Sequence, residues 1–153
     1  MSQLTAWLTC LAIMAAPACS RAPGPEQTEN QAVVVVGSLL LTVETDKTTY
    51  RPGEPIAVQL KVNNRSSRDT TLAFSSGQRY DVQIADAAGE TAWTWSADRA
   101  FMQALGSERL PADGALEYGE QFTGQLAPGN YTVTGYITTT GRALQASTTV
   151  SVR

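Results

Sequence analysis

The sequence predicts an all-β protein, an immunoglobulin-like antiparallel β-sandwich of about seven or eight strands with one short helical segment near residues 98–105. Charged residues are only 16% of the chain, while Val, Thr, Ser and Gly are abundant, a composition that favours strands and tight turns over a helical bundle. Residues 56–64 alternate apolar and polar side chains with the period of a half-buried strand. Glycine- and proline-containing turns separate segments of strand length along the rest of the chain.

The first two long strands are predicted from alternating apolar positions in the segments SLLLTVETD and PIAVQLKVNN. Because successive side chains of a strand point to opposite faces, every second residue of each segment is expected to face the core. Pro52-Gly53, within YRPGEP, suits a turn between the two strands. The residues predicted to face inward are Leu39, Leu41, Val43, Ile56, Val58, Leu60 and Val62.

Further segments of strand length follow, namely TTLAF, YDVQI, TAWTW, ALEYGEQF, NYTVTGYIT and ALQASTTVSV. Gly89 suits a hairpin between YDVQI and TAWTW, and FSSGQ is predicted to be a turn with Gly77 at positive φ. Tyr131 begins a late strand, where its hydroxyl is placed to bond the backbone upstream as a tyrosine corner. Short strands joined by such turns indicate two antiparallel sheets packed face to face.

The segment between TAWTW and ALEYGEQF does not alternate, and residues 98–105 are predicted to form a helical turn or two. Asp98 is placed as the N-cap and Gly106 as the C-cap. Phe101 and Leu105 are spaced so that they would share one helical face. The helix is predicted either to cover an open end of the sandwich or to present part of its apolar set to a partner.

The amino-terminal part of the chain is predicted to lie outside the folded domain. Residues 1–18 have the length and apolar character of a signal peptide, and small residues precede Cys19 as in a bacterial lipobox. We therefore expect lipidation at Cys19, a flexible linker at residues 19–31 and a β-sandwich domain at residues 32–153. The expected location is the bacterial cell envelope, with a lipid anchor at a membrane. The alternative is a secreted or periplasmic soluble protein with a free thiol.

The composition excludes several classes of catalytic and metal site. The chain has no histidine, so it cannot form Ser-His-Asp or Cys-His nucleophilic sites or bind zinc through imidazole. The acidic residues follow no calcium-loop pattern, and a net charge of −3 without a basic stripe argues against nucleic-acid binding. We therefore predict a protein that is not an enzyme and that uses no cofactor or metal.

Several segments, in this order, resemble the BsuPI-type intracellular proteinase inhibitors: VETDKTTYRPGEPIAVQLKVNN, LAFSSGQRYDVQI, DAAGETAWTWSADRAFMQAL and PGNYTVTGYITT. The resemblance runs from about Leu41 to Tyr136. It implies an immunoglobulin-like β-sandwich and a serine protease as the partner, although the predicted signal segment separates this chain from the cytoplasmic protease of the founding family member. We therefore predict a protein-interaction module, with proteinase inhibition as the activity that the resemblance implies.

Two segments, residues 75–80 and 97–105, are predicted to supply the surface for a protein partner. FSSGQRY places small, flexible and charged residues at a corner, where Arg79 would enter a trypsin-like pocket. The alternative is a turn with only a structural role. The predicted partner-binding residues are Gln78, Arg79, Tyr80, Phe101 and Met102.

Trp93 and Trp95 support an alternative function. At positions i and i+2 of a strand they share one face, so both are predicted to be buried or both to be presented to solvent. If presented, they would form the aromatic platform of a carbohydrate-binding module. If buried, they belong to the core of the sandwich. Sugar binding is therefore the alternative to protein binding.

Overall fold

Alternating apolar residues and turn residues divide the chain into strands. The structure is a computed structural model that describes residues 30–141 and 144–153, and over these residues it contains eleven strands and no helix. The strands are β1 (Gln31–Val36), β2 (Leu39–Thr45), β3 (Thr49–Tyr50), β4 (Ile56–Asn64), β5 (Thr70–Phe74), β6 (Tyr80–Asp86), β7 (Thr91–Thr94), β8 (Gly106–Leu110), β9 (Ala115–Phe122), β10 (Gly129–Ile137) and β11 (Leu144–Val152). The predicted signal peptide, the lipidation site at Cys19 and the linker up to residue 29 lie outside the described residues.

The strands form two large sheets and one small one. A four-stranded sheet has the order β1-β2-β4-β9, and a five-stranded sheet has the order β3-β11-β10-β6-β7. Strands β5 and β8 form a separate antiparallel pair. Paired strands run antiparallel throughout the described residues except for β3 and β11, which run parallel. None of the described residues belongs to a helix that could cross a membrane.

The two large sheets pack face to face, and their alternating apolar residues meet between them. The predicted inward-facing residues of β2 and β4 are all buried. From the opposite sheet, Gly135 on β10 approaches so closely that a Cβ atom there would lie 2.7 Å from Val43 Cγ2 and 2.8 Å from Leu60 Cδ2. The predicted all-β class is therefore confirmed, and the arrangement fits an immunoglobulin-like sandwich.

Three local predictions are confirmed by the backbone and its hydrogen bonds. Gly53 and Gly89 have φ values of 79° and 86° at the predicted turns, in the left-handed region that favours glycine. The Tyr131 hydroxyl donates to the Ala127 carbonyl oxygen at 2.9 Å, which is the predicted tyrosine corner. These contacts fix the ends of strands and so hold the loops that project from the sandwich.

The predicted count of seven or eight strands is too low for the described residues. Strand β1 has the sequence QAVVVV, which does not alternate, yet each of its six residues pairs with β2. Strand β3 has only two residues. Strand β8 lies in the stretch that was predicted not to form a strand, but it pairs with β5 over five residues. Such short or uniformly apolar strands form because they pair with neighbouring strands, and their own sequences show no alternation that would predict them.

The predicted helix at residues 98–105 is wrong, because residues 99–105 have no regular secondary structure. Phe101 packs against Trp95 with ring centroids 5.7 Å apart. Leu105, expected on the same helical face, is 87% exposed. A helix of one or two turns has little stability of its own, so burial of Phe101 against Trp95 decides the conformation of this segment.

Changing Gly135 to alanine is expected to destabilise the sandwich by about 1–2 kcal/mol, because the added methyl group would press on Val43 and Leu60 in a fully packed core. Gly119→Ala on β9 is the matched control. A Cβ atom at Gly119 would meet only the end of the Gln59 side chain, which is free to move aside. Urea unfolding of the two variants should therefore separate them; equal stabilities would show that the sheets are not this closely packed at Gly135.

Candidate protein-interaction surface

Two loops that are distant in the sequence meet at one end of the sandwich. The supporting turn, residues 75–79, joins β5 to β6, and the presenting loop, residues 99–105, leads from the region after β7 to β8. The Gly77 N–H donates to the Met102 carbonyl oxygen at 2.8 Å. The prediction of positive φ at Gly77 is wrong. This glycine instead allows close approach, since a Cβ atom there would lie 3.5 Å from the Met102 backbone nitrogen and oxygen.

A stack of aromatic rings lies beneath the presenting loop and connects β6 of one large sheet to β9 of the other. The ring of Tyr80 stacks between Trp95 and Tyr118, with centroid distances of 4.4 Å and 4.5 Å. Phe101, near the start of the loop, packs against Trp95, and the Arg99 guanidinium lies 4.2 Å from the Trp95 ring centroid. The loop is therefore anchored at its base by its own side chains.

Beyond this anchor the presenting loop carries apolar side chains in solvent. Met102 is 77% exposed and Leu105 is 87% exposed, more than any other large apolar residue that the structure describes. An isolated exposed apolar residue needs no explanation, but two of them on one anchored loop make that loop a candidate for contact with a partner. Met102 was predicted by name, whereas Leu105 was predicted only as part of the segment 97–105, because its spacing from Phe101 suggested that the two share one helical face.

Arg79 is held against the molecule rather than projecting from it. Its Nε donates to Glu108 Oε1 at 2.7 Å, and its Nη1 donates to the Ser76 carbonyl oxygen at 2.7 Å. Its guanidinium lies 4.5 Å from the centroid of the Phe74 ring and occupies the space beside Gly106, where a Cβ atom would lie 2.6 Å from Nη2. Arg79 therefore connects the supporting turn to the end of the presenting loop.

Gln78 and Tyr80 also use their polar groups within the molecule. The Gln78 side-chain amide donates to the Tyr80 carbonyl oxygen at 3.1 Å, and the Gln78 carbonyl oxygen accepts a hydrogen bond from the Thr138 hydroxyl at 2.8 Å. The Tyr80 hydroxyl donates to Glu120. Of the five residues predicted to bind a partner, Met102 is exposed and the other four are half-buried. Arg79, Tyr80 and Phe101 lie against the base of the presenting loop.

Burial in the stack makes its tyrosines weak acids. Burial, with a smaller contribution from Glu108, raises the pKa of Tyr118 to about 12, and its hydroxyl donates to Glu108 Oε2 at 3.2 Å. Burial also raises the pKa of Tyr80 well above its usual value, and the hydrogen bond to Glu120 adds to the shift. Both phenols are therefore neutral donors at ordinary pH, each with a carboxylate acceptor.

The raised pKa of Tyr118 predicts a loss of stability in alkaline solution. The folded state holds the phenolic proton more tightly than the unfolded state, in which the pKa of the Tyr118 phenol is near 10. The contribution of Tyr118 is therefore fully present below pH 10 and is lost as the pH rises to about 12. We expect urea unfolding midpoints to fall over this range, and the fall to be smaller in Tyr118→Phe. An equal fall in both proteins would contradict the assignment to Tyr118.

The two tryptophans that suggested sugar binding pack into the molecule. Trp95 is buried and stacks on Tyr80, while Trp93 is half-buried against Phe122 with centroids 5.2 Å apart. A sugar platform requires an exposed ring face, so this packing gives the sugar-binding alternative no support. Within residues 30–141 and 144–153, no group of three or more acidic or cysteine side chains is placed to hold a metal ion.

Comparisons with known proteins bear on this surface through the fold. The C-terminal domain of wzt has a TM-score of 0.53 and 11% sequence identity, covering 85% of this chain and 80% of that one. The sporulation control protein Spo0M from Bacillus subtilis has a TM-score of 0.52 and 14% identity, and the alignment covers 77% of this chain and 50% of Spo0M. At these identities the likeness shows the sandwich fold alone.

A match to a larger protein covers only a small part of it. The chain spans 13% of a Paenibacillus cycloisomaltooligosaccharide glucanotransferase, at a TM-score of 0.47, 19% identity and 72% coverage of this chain. No curated protein matches the sequence.

The family model described as BsuPI, intracellular proteinase inhibitor, matches residues 43–142. This match runs from β2 through β10 and includes both the supporting turn and the presenting loop. The chain therefore belongs to the BsuPI intracellular proteinase inhibitor family.

Proposed function

We propose that this chain is a non-catalytic inhibitor of a serine protease and that the presenting loop is the segment that occupies the protease's substrate cleft. The observation that carries the proposal is the pair of exposed apolar side chains, Met102 and Leu105, on a loop that is fixed at both ends. Membership of a proteinase-inhibitor family supplies the class of partner. The absence of histidine from the sequence removes the common catalytic alternatives.

A fixed loop binds a protease more tightly than a flexible one. Ordering a flexible side chain at an interface costs about 0.5–1.5 kcal/mol, and a loop that is already ordered avoids this cost. Here Phe101 on Trp95 fixes one end of the presenting loop, pairing of Gly106 with Phe74 fixes the other, and the Gly77–Met102 hydrogen bond fixes the middle. Such anchoring also slows release of the chain if the protease cleaves it.

An inhibitor interface would place the exposed apolar residues of the presenting loop at its centre. A standard inhibitor buries about 800 Å² on each partner, with a few apolar anchors at the centre and a polar rim. Met102 and Leu105 would be the central anchors. The rim would come from the adjacent polar residues Ser75, Ser76 and Gln103, which neighbour them on the supporting turn and the presenting loop.

To test the proposal, the purified chain would be titrated against a panel of serine proteases with different primary pockets. We expect inhibition of at least one protease, and we expect the double variant Met102→Ala/Leu105→Ala to weaken it by about 30-fold or more, as for loss of a binding hot spot. The matched control is Val33→Ala/Val35→Ala, which removes exposed apolar side chains on β1. Full inhibition by the loop variant would show that the presenting loop is not the segment that binds the protease. A chain that inhibits no protease would overturn the proposed function.

We also propose that the inhibitor is exported and tethered to the bacterial envelope through Cys19. The small residues before Cys19 and the polar segment after it support this proposal. A lipid anchor would keep the inhibitor at the membrane, where it would meet proteases outside the cytoplasm. Ordinary secretion of a soluble protein is the alternative.

Changing Cys19 to serine is expected to move the protein from the membrane fraction to the soluble fraction and to abolish labelling by a fatty-acid analogue. Cys10→Ser, within the predicted signal segment, is the control and should leave both unchanged. A labelled Cys19→Ser protein would rule out Cys19 as the lipidation site. This result would not bear on inhibition, which is assayed separately.

A further inference from the structure

Resting on the proposed inhibitory function, we infer that Leu105 is the side chain that enters the primary specificity pocket of the target protease. The Leu105–Gly106 peptide bond is then the one that faces the protease's nucleophile, and Met102 is a secondary contact. The target is therefore a serine protease whose primary pocket is apolar and large enough for leucine, and a trypsin-like protease is excluded.

Exposure favours Leu105 over the other candidates for this position. Its side chain is 87% exposed, against 77% for Met102. Phe101 is half-buried on Trp95, and Arg79, the cation predicted to enter a trypsin-like pocket, has a side chain only 25% exposed in its ion pair with Glu108. To reach a pocket, Arg79 would have to leave Glu108, Ser76 and Phe74.

The backbone separates Leu105 from Met102 more sharply than exposure does. In a substrate-like complex, the carbonyl oxygen of the pocket residue points into the oxyanion hole of the protease, so it must be free to accept hydrogen bonds there. The Met102 carbonyl oxygen already accepts the Gly77 N–H at 2.8 Å. Within the described part of the chain, the Leu105 carbonyl oxygen accepts no hydrogen bond. The Leu105 carbonyl oxygen is therefore free for the oxyanion hole, whereas the Met102 carbonyl oxygen is directed at the supporting turn.

The residue after Leu105, Gly106, is held by strand pairing and by the Arg79 side chain. Gly106 pairs with Phe74 at the start of the β5–β8 ladder. The Arg79 guanidinium fills the space where a side chain on Gly106 would lie, and Glu108, two residues further along β8, fixes that guanidinium at 2.7 Å. The Leu105–Gly106 bond thus joins an exposed residue to one that is fixed by strand pairing and by the Arg79 side chain. Because Gly106 is fixed, the new amino terminus would stay close to Leu105 after cleavage. The Leu105–Gly106 peptide bond would then re-form more readily.

The chemistry of leucine defines the class of protease. An apolar pocket gains from burial of the whole side chain, about 25 cal/mol for each Å² of apolar surface removed from water. A trypsin-like pocket has a carboxylate at its base, and leucine would leave that charge buried without a partner. The domain should therefore discriminate between proteases by the polarity of their primary pockets.

The experiment compares the chain with its Leu105→Lys and Met102→Lys variants against chymotrypsin or subtilisin, which have apolar pockets, and trypsin. We expect the unaltered chain to inhibit only the apolar-pocket enzyme. Leu105→Lys should lose that inhibition by about 100-fold and gain inhibition of trypsin, since the new cation reaches the trypsin carboxylate. Met102→Lys, the matched control in the same loop, should not gain trypsin inhibition.

Mapping of cleavage gives an independent readout. A catalytic amount of the inhibited protease, added over long incubation, is expected to hydrolyse the Leu105–Gly106 bond slowly by addition of water, so that mass spectrometry finds a new amino terminus at Gly106. A first cut after Met102, or trypsin inhibition gained by Met102→Lys instead of Leu105→Lys, would overturn the inference and leave the inhibitory function standing. If the unaltered chain inhibits no protease at all, the proposed function fails and the inference fails with it.

Discussion

Replacing Tyr80 with alanine is expected to lower the free energy of unfolding by about 3 kcal/mol, the lower end of the range for a large aromatic residue, because the Tyr80 ring is only half-buried. The ring is covered on both faces, by Trp95 and by Tyr118. Its removal leaves a gap in the stack and deprives Glu120 of its hydrogen-bond donor. Urea unfolding followed by circular dichroism measures the change.

The control for this variant is Tyr80→Phe, which keeps the stacked ring and removes only the hydroxyl. It should cost about 1 kcal/mol, the usual value for one hydrogen bond. Because Tyr80 stacks on Trp95 and Trp95 packs against Phe101, Tyr80→Ala should also make the presenting loop more mobile. Greater exposure of Trp95 should shift the tryptophan emission to longer wavelength. If Tyr80→Ala were as stable as Tyr80→Phe, the ring stack would not hold this end of the sandwich together.

Patterns within single strands were enough to predict the core-facing residues of β2 and β4. Ile56, Val58, Leu60 and Val62 alternate with polar residues, and all of them are buried. A strand with one buried face must show this period, because a shift of one residue would turn every apolar side chain to solvent. The tyrosine corner at Tyr131 was equally accessible, since the bond to Ala127 spans only four residues of sequence.

The presenting loop was beyond prediction because its conformation depends on distant residues. The caps and spacing of residues 98–105 favour a short helix when they are considered alone. The competing contact, Phe101 on Trp95, exists only after β6 and β9 have brought Tyr80 and Tyr118 together to support that tryptophan. Leu105 was not singled out within the segment 97–105 for this reason, since a helical spacing places it with Phe101, whereas in the structure Phe101 is half-buried and Leu105 is exposed.

The candidate surface was predicted in part. Both segments that meet at this end of the sandwich were predicted from the sequence, but the hydrogen bond from Gly77 to Met102 joins residues that no local pattern relates. Arg79 shows the same limitation. A cation at an exposed corner suggests a contact with a protease, whereas Glu108, 29 residues away, turns it into a support for the loop. Pairing of β5 with β8 produces that contact.

The support that Arg79 gives to the loop predicts a second large effect. Arg79→Ala is expected to destabilise the domain by about 2 kcal/mol, because it removes a charge-assisted bond to Glu108, a bond to Ser76 and the contact with Phe74 in a partly buried setting. It should also weaken protease inhibition by about tenfold or more and speed cleavage after Leu105, because Gly106 loses its brace. Inhibition constants and cleavage rates for the variant would be measured alongside its unfolding.

Arg109→Ala is the matched control for Arg79→Ala, because it removes another arginine that pairs with a carboxylate near the β5–β8 ladder. The Arg109 and Asp69 side chains are 76% and 38% exposed, so their ion pair should contribute less than about 1 kcal/mol. We expect Arg109→Ala to inhibit and to resist cleavage as the unaltered chain does. Equal losses of inhibition in the two variants would mean that positive charge on this side of the domain, rather than the brace beneath Gly106, governs contact with the protease. An Arg79→Ala variant that remains stable yet is cleaved rapidly would instead isolate the brace as the feature that separates an inhibitor from a substrate.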